Sequence, residues 1–517
     1  MRRRALEALA YVALTAIALG LRVYELDVRP FHHDESQDAY FSWLFETEGD
    51  YTYQPILHGP LRFYLTAGMY TLFGDSDFTA RLAPALMGTA MIPMCALLRE
   101  QLGRVGAFTA ALALTFGPTF LYYSRFARED IYIACITLAL LAVTARFLDR
   151  PRPHQPALIA ALLAASFATK ETTFITVFVA GTFFLVAIAE QTRLHGFRNG
   201  QVVRAVTAVG WEAWAWALAS FLAVFTVLFT VFLTDPGGLW AGIHDGIAYW
   251  LSQHGPGRGE KEWWFYSVVL LAEEWPIVVL GVAGAVATYR RPSLLRAFLI
   301  WDFALSLVVY SLANERFSWL VMHPLLPLIL LAGFGIQVIW DARHGWGGKL
   351  GLALVAVGFL HAGYASFRVN AENGADPREF LVTTQSSAQV PGVRDEVFAA
   401  ADRARREGRD FSVVVDAADG STFPWAWYFR HLDASFPDLT REALDSTADV
   451  AIVTQAARDR VSGGLAGYEQ REFPFRVWWI RDYDAMSAGG WWDWFSRREP
   501  WNETGGVPEW LYLRQGA

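Results

Sequence analysis

The sequence predicts an all-α polytopic membrane protein followed by a small α/β domain, on three observations. Hydrophobic residues make up 54% of the 517 and charged ones only 18%, against about 25% charged in an average soluble protein. Apolar runs close to the roughly 20-residue length of a spanning helix recur up to position 368. Beyond Arg368 the composition turns polar, and no later run is long enough to span. The net charge of −8 argues against nucleic acid as a partner, because such partners need a basic face to displace counterions. Two cysteines, Cys95 and Cys135, both in apolar runs, give no disulfide framework.

The first run, 5–24, follows Met1-Arg2-Arg3-Arg4 as a signal peptide would, but lacks a small-residue cleavage site, so it reads as a retained span. Further spans fall at 79–98, 104–122, 131–148, 172–190, 209–234, 266–288, 297–312, 319–340 and 350–367. The shorter run 156–169 is either a span of its own or half of a helical hairpin, and counting it gives about eleven transmembrane helices. Residues 61–73 would make a helix only about 20 Å long, which suits an interfacial or re-entrant element.

Arginines set the orientation. Arg2 to Arg4, Arg99, Arg104, Arg146, Arg150, Arg152, Arg193, Arg198, Arg204, Arg290, Arg291, Arg296, Arg343 and Lys349 fall in loops on one side if spans alternate. By the positive-inside rule that side is cytoplasmic, with the N-terminus. The chain is then a multi-pass protein of the cell membrane. It divides into a membrane domain at 1–368, with a first outer loop at 25–78, and an extracytoplasmic α/β domain at 369–517. In the latter, Asp410–Asp416 and Ala448–Thr454 read as short buried strands and 392–407 and 423–431 as helices.

Ionisable groups near a bilayer are costly and usually functional, and here they gather in the outer loops. In Phe31-His32-His33-Asp34-Glu35-Ser36, two carboxylates beside two imidazoles supply a general base or a metal-ligand set. The alternative is a solvated loop whose acid caps a helix over Ser36–Phe45. Consecutive ligands project to opposite faces, so a metal is not expected. Arg125, Arg128, Glu129 and Asp130 lie together between two spans; the arginines suit bidentate phosphate binding, or the segment is a salt-bridged turn. Lys170, beside Glu171, reaches an anionic head group or snorkels. The tryptophans of the last hundred residues (Trp425, Trp427, Trp478, Trp479, Trp491, Trp492, Trp494, Trp501) could stack on sugar, form an interfacial belt or fill a core. Asn502-Glu-Thr504 matches a glycosylation sequon.

His58-Gly-Pro-Leu-Arg-Phe-Tyr-Leu65, continuing to Leu72-Phe-Gly-Asp-Ser-Asp-Phe-Thr-Ala-Arg81 and Gly88, resembles the GT-C superfamily of polytopic glycosyltransferases. The likeness is to the protein O-mannosyltransferase and aminoarabinose-transferase branch (glycosyltransferase family 39). Asp34-Glu35 matches the acidic pair of that branch, and Ala168-Thr-Lys170-Glu its Thr-Lys-Gly element, with Glu171 in place of glycine. Ser124-Arg-Phe-Ala-Arg-Glu-Asp130, Glu315-Arg-Phe-Ser-Trp319 and Phe423-Pro-Trp-Ala-Trp-Tyr-Phe-Arg430 further resemble a flippase-activity-associated subgroup.

The resemblance implies a GT-C-like membrane glycosyltransferase domain. Its donor would be a polyprenyl-phosphate-linked sugar, its tail held in an apolar groove beside membrane lipid. The acceptor would be an extracytoplasmic protein, lipid or glycan, with inversion at the sugar carbon. No cofactor, metal or nucleotide is implied. In that scheme Asp34 is the general base and Glu35 orients it or the acceptor. The substrate-binding set is His33, His58, Arg125, Arg128, Glu129, Asp130, Lys170, Glu315 and Arg316, with Arg125, Arg128, Lys170 and Arg316 neutralising the departing phosphate. The other readings are a non-catalytic accessory protein that binds lipid-linked sugars for transport, and a scaffold whose outer domain binds glycans.

Overall fold

Hydrocarbon offers no hydrogen bonds, so apolar runs satisfy their main chain by coiling into helices. The computed structural model describes residues 2–49, 51–252, 261–444, 447–465 and 467–515. Among these, eight unbroken helices are long and apolar enough to cross a membrane: Arg4–Val23, Asp77–Leu102, Asp130–Asp149, Thr173–His195, Trp211–Phe229, Leu294–Leu312, Ser318–Asp341 and Trp346–Glu372. This is a multi-pass membrane protein.

Two runs read from sequence as straight spans are broken. Arg104–Phe116 meets Pro118–Ser124 at 57°, and Phe265–Glu273 meets Trp275–Arg290 at 103°. Each break has a proline just inside its second helix, Pro118 and Pro276, where the absent N–H costs nothing. The breaks also satisfy one another: Glu274, in the second, accepts the free N–H of Thr119 in the first at 3.1 Å. The run at 156–169 is the Gln155–Phe167 helix, 13 residues long, which packs along Trp211–Phe229 and Asp130–Asp149. Leu61–Phe73 is likewise a 13-residue helix, too short to cross.

The bundle is organised around Ser318–Asp341, the most enclosed span. Its neighbours approach to main-chain contact through small residues: a side-chain carbon on Gly284 would fall 2.0 Å from Leu331 O, and one on Gly106 2.5 Å from Gly333 O. The arginine-rich loops meet at one end, where Arg150 pairs with Glu100 and Arg291 with Asp341. The acid-rich loops meet at the other, under the sheet domain.

That domain carries a six-stranded sheet of order β1-β5-β6-β4-β2-β3, with β1 Gln385–Ser386, β2 Ser412–Val415, β3 Asp433–Ser435, β4 Val450–Thr454, β5 Tyr468–Trp478 and β6 Gly505–Arg514. β2 runs parallel to β3 and β4; the pairs β4–β6, β5–β6 and β1–β5 are antiparallel. β2 and β4 are the two strands legible in the sequence, and the Val390–Arg406 and Thr422–Tyr428 helices match the expected ones. β5 and β6, the longest, escaped notice because each contains a proline, Pro474 and Pro508, which face one another beside a register shift.

The sheet domain grips the first loop. Arg430 and His431 both reach Asp75 at 2.8 Å, Trp427 Nε1 donates to Asp77 at 2.7 Å, and Tyr70 stacks on Trp427. Trp425, Trp427 and Trp494 are fully enclosed, so the core account of the tail tryptophans holds for these three. Asn502 of the sequon is tied into its own loop, accepting from Trp479 Nε1 and donating to Ile480 O.

Candidate active site

The His33–Glu48 helix fixes the start of the site. The sequence suggested a helix over Ser36–Phe45 capped by an acid; instead it begins three residues earlier and its cap is an imidazole. His32 Nδ1 accepts the Asp34 N–H at 3.0 Å, and Glu35 returns to accept the His32 N–H at 3.1 Å. The reciprocal bond satisfies two main-chain donors that a helix start leaves open. Accepting at Nδ1 requires an uncharged ring, and burial lowers the His32 pKa well below its usual value.

Glu35 is then committed to the fold. Arg81 binds both its oxygens, at 2.9 and 3.0 Å, Arg29 reaches it at 3.1 Å and Ala127 N–H at 2.9 Å. Its side chain is wholly buried. Burial alone would raise this carboxyl, but Arg81 and Arg29 outweigh it and hold the group down at about 2. Its oxygens are filled by donors from three separate segments, so Glu35 has no free oxygen to offer an acceptor and its part is to fix the turn that carries Asp34.

Asp34 points the other way. It pairs with Arg128 and keeps 31% of its side chain exposed. Arg128 lies 4.0 Å over the Trp319 ring, 3.4 Å from Glu129 and 3.6 Å from Asp130. Lys170 Nζ donates to both oxygens of Asp130, at 2.9 and 3.0 Å, with His323 Nε2 3.7 Å from the same carboxylate. From Glu129 the network continues to Arg62 at 3.3 Å and His58 Nε2 at 3.4 Å, and Arg62 pairs in turn with Asp38. His58 Nδ1 meets Glu171 at 2.8 Å. Burial opposes a charge on His58, but Glu129 and Glu171 together hold its pKa up at about 9, so it is an imidazolium at neutral pH. For Glu129 burial is likewise outweighed, by Arg62 and Arg128, and its pKa lies well below the carboxylate range.

Local backbone geometry supports this network. His58 has φ 61°, a conformation that costs a non-glycine residue on the order of 1–3 kcal/mol. It is held there because Gly59 packs flat on the Lys170 loop. Gly59 N–H donates to Thr169 O, Leu61 N–H to Ala168 O, and any side-chain carbon at Gly59 would fall 2.2 Å from Ala168 O. Glu171, where the family element has glycine, is one of the two partners that charge His58.

Of the residues singled out from sequence, Asp34, His58, Arg128, Glu129, Asp130 and Lys170 converge on one cluster. His33 stands beside it, its Nδ1 accepting from Arg476 at 2.9 Å. Arg125 does not join. It donates to the carbonyls of Leu21, Arg22, Tyr24 and Glu25 and so closes the end of the first helix. Arg316 is also spent on main chain, at Ser311 O and Lys261 O. Arg62, Asp38 and His323 belong to it but were assigned no role. A lone arginine inside the apolar Leu61–Phe73 helix was the signal that pointed to Arg62.

Comparison with known proteins agrees with this architecture. Residues 57–216 match the family model for dolichyl-phosphate-mannose-protein mannosyltransferase. No curated protein matches the sequence. ArnT from Cupriavidus metallidurans, solved bound to undecaprenyl phosphate, superposes with a TM-score of 0.63 at 15% identity, over 97% of each chain. The archaeal oligosaccharyltransferase AglB from Archaeoglobus fulgidus, in complex with an inhibitory peptide and a dolichol-phosphate, gives 0.58 at 12% identity, over 90% of this chain and 73% of that one. The mycobacterial arabinofuranosyltransferase AftD gives 0.51 at 13% identity, covering 99% of this chain and 40% of its own. All belong to the GT-C superfamily, and the chain has the GT-C fold.

Proposed function

We propose that this protein is a membrane glycosyltransferase that moves a sugar from a polyprenyl-phosphate carrier to an acceptor hydroxyl, with Asp34 as general base. The observation that carries the reading is the contrast in exposure within one ionic cluster. Glu129 and Asp130 are 1% exposed and Asp38 and Glu171 near 10%, whereas Asp34 is 31% exposed while sharing Arg128 with the buried acids. A carboxylate open to an incoming hydroxyl and adjacent to fixed cations is what a displacement at a sugar phosphate requires.

In the reaction, the acceptor oxygen bonds to the anomeric carbon as its proton passes to Asp34. The carbon–oxygen bond to phosphate breaks, and its electron pair leaves with the polyprenyl phosphate. Arg128 and Lys170 neutralise the charge that grows on that leaving group, and the His58 imidazolium adds a hydrogen-bond donor. Attack opposite the leaving group inverts the sugar carbon. Trp319 and the Asp130 pair hold the two cations in place, so little reorganisation is needed as charge moves. The donor class accords with the undecaprenyl phosphate and dolichol-phosphate bound by the two structural relatives. The distribution of arginines supports a cytoplasmic N-terminus, with the site and sheet domain on the extracytoplasmic side of the cell membrane.

The test is transfer by purified protein from an undecaprenyl-phosphate-linked sugar. Asp34→Asn is expected to stay folded, to bind undecaprenyl phosphate and to lose about 10²–10⁴ of the transfer rate, the usual share of a general base. Full activity in that variant would remove Asp34 from the mechanism. Donor binding without transfer or hydrolysis by the unaltered protein would favour the accessory role.

A further inference from the structure

Beside the cluster, between the ends of β5 and β6 and the loops of the bundle, lies an open cavity of about 630 Å³, well inside the range of about 300–1,000 Å³ typical of ligand clefts. It has no part in the donor chemistry described above. Phe265 and Phe317 wall it on the bundle side, Trp478 and Tyr483 on the sheet side, with Ser421 and Glu509 between them. Two contacts tie it to Asp34. Arg476, in its lining, binds His33, the neighbour of Asp34. Phe317 stacks on Trp319 at 4.5 Å, and Trp319 carries Arg128.

Glu509 is 1% exposed; its Oε2 accepts from Trp425 Nε1 at 3.0 Å, while its Oε1 has no hydrogen-bond partner among the described residues. Buried polar atoms are seldom left unsatisfied without a reason. Trp478 owes its place to Gly505, where a side-chain carbon would fall 2.7 Å from the indole nitrogen.

We propose that this cavity is the acceptor site and that the acceptor is a saccharide, which presents a hydroxyl to Asp34. The inference rests on the glycosyl-transfer reading and names its second substrate. Flat aromatic walls match the C–H faces of sugar rings, and the groups between them match sugar hydroxyls. Burial pushes the Glu509 carboxyl up to about 8 against the pull of its neighbours, so at neutral pH it offers a proton to a sugar oxygen. An extended peptide would seek a free strand edge, but where β5 reaches the cavity its outer edge is taken by β1 at Arg476 and Val477, and β6 lies between β5 and β4. An acyl chain would meet Arg476 and Arg481 on the lining.

The experiment uses the full-length protein in lipid nanodiscs. Maltotriose, cellotriose, mannotriose and a serine-containing peptide are titrated by tryptophan emission, and amide exchange locates the protected segment. At least one trisaccharide is expected to bind saturably and to protect 476–480 and 505–510. Trp478→Ala and Glu509→Gln should each weaken that binding at least ten-fold, with undecaprenyl phosphate binding on the same samples as the check that they remain folded. The proposal is overturned if no trisaccharide binds while undecaprenyl phosphate does, or if the peptide alone gives the protection. Trisaccharide binding without undecaprenyl phosphate binding would instead overturn the glycosyl-transfer reading, and the acceptor role with it.

Discussion

Two ionic clusters begin on adjacent residues, and they differ in one property. Around Glu35 every carboxylate oxygen is filled: Arg81, Arg29, the Ala127 N–H and the His32 N–H converge on a side chain with no exposure. Around Asp34 the acids share Arg128, and Asp34 itself faces open space. The first arrangement joins three segments into one piece; the second leaves a carboxylate with open space before it. Two neighbouring carboxylates thus sit in opposite surroundings, and what separates them is spare coordination rather than chemistry.

Breaking the first cluster should cost the most. Glu35→Gln leaves Arg81 buried without its counter-charge, a loss of about 3–5 kcal/mol, expected as a collapse in yield and melting temperature. A variant as stable as the unaltered protein would mean Glu35 does not hold the loop. Asp34→Asn should do the reverse, leaving the melting temperature unchanged while transfer fails.

A smaller effect on the donor is expected from Lys170→Met, which removes the cation proposed to make a charge-assisted bond, worth about 1.5–3 kcal/mol, to the phosphate. The donor KM should rise by roughly ten- to a hundred-fold, while the affinity for any saccharide bound in the cavity stays within two-fold. Equal losses on both substrates would mark Lys170 as structural.

The mildest effect is a pH dependence carried by His58. Its pKa is raised from 6.5 to about 9 in the fold, so its stabilisation is complete below 6.5 and disappears as pH rises through 9. The melting temperature should fall over that window, and His58→Gln should flatten the fall. An unchanged slope in the variant would assign the titration to another group.

Much of the fold was legible because hydropathy reads length and composition directly. It cannot read direction: Gly117-Pro118 and Glu274-Trp275-Pro276 lie inside apolar stretches, and only their mutual hydrogen bond reveals two bends where straight spans were expected. The site was legible where an ionisable residue stood in an acid-rich loop, as with Asp34, Arg128 and Lys170. Arg125 misled because its partners are main-chain carbonyls about a hundred residues away, which carry no signature in sequence. Arg62 carried no role because the short apolar helix that holds it read as an interfacial element rather than as part of an ionisable loop.

The grip of the sheet domain on the first loop has a consequence for synthesis. Phe31 N–H donates to the Tyr428 hydroxyl, Arg476 donates to His33, Trp427 to Asp77 and Arg430 to Asp75. The ribosome makes the loop that bears Asp34 more than three hundred residues before its fasteners. A nascent chain therefore carries Asp34 through membrane insertion with its surroundings incomplete, and the surroundings close only once residues 423–476 have been made. Removing residues 423–476 would leave Asp34 without those fasteners while every lipid-facing helix kept its full length.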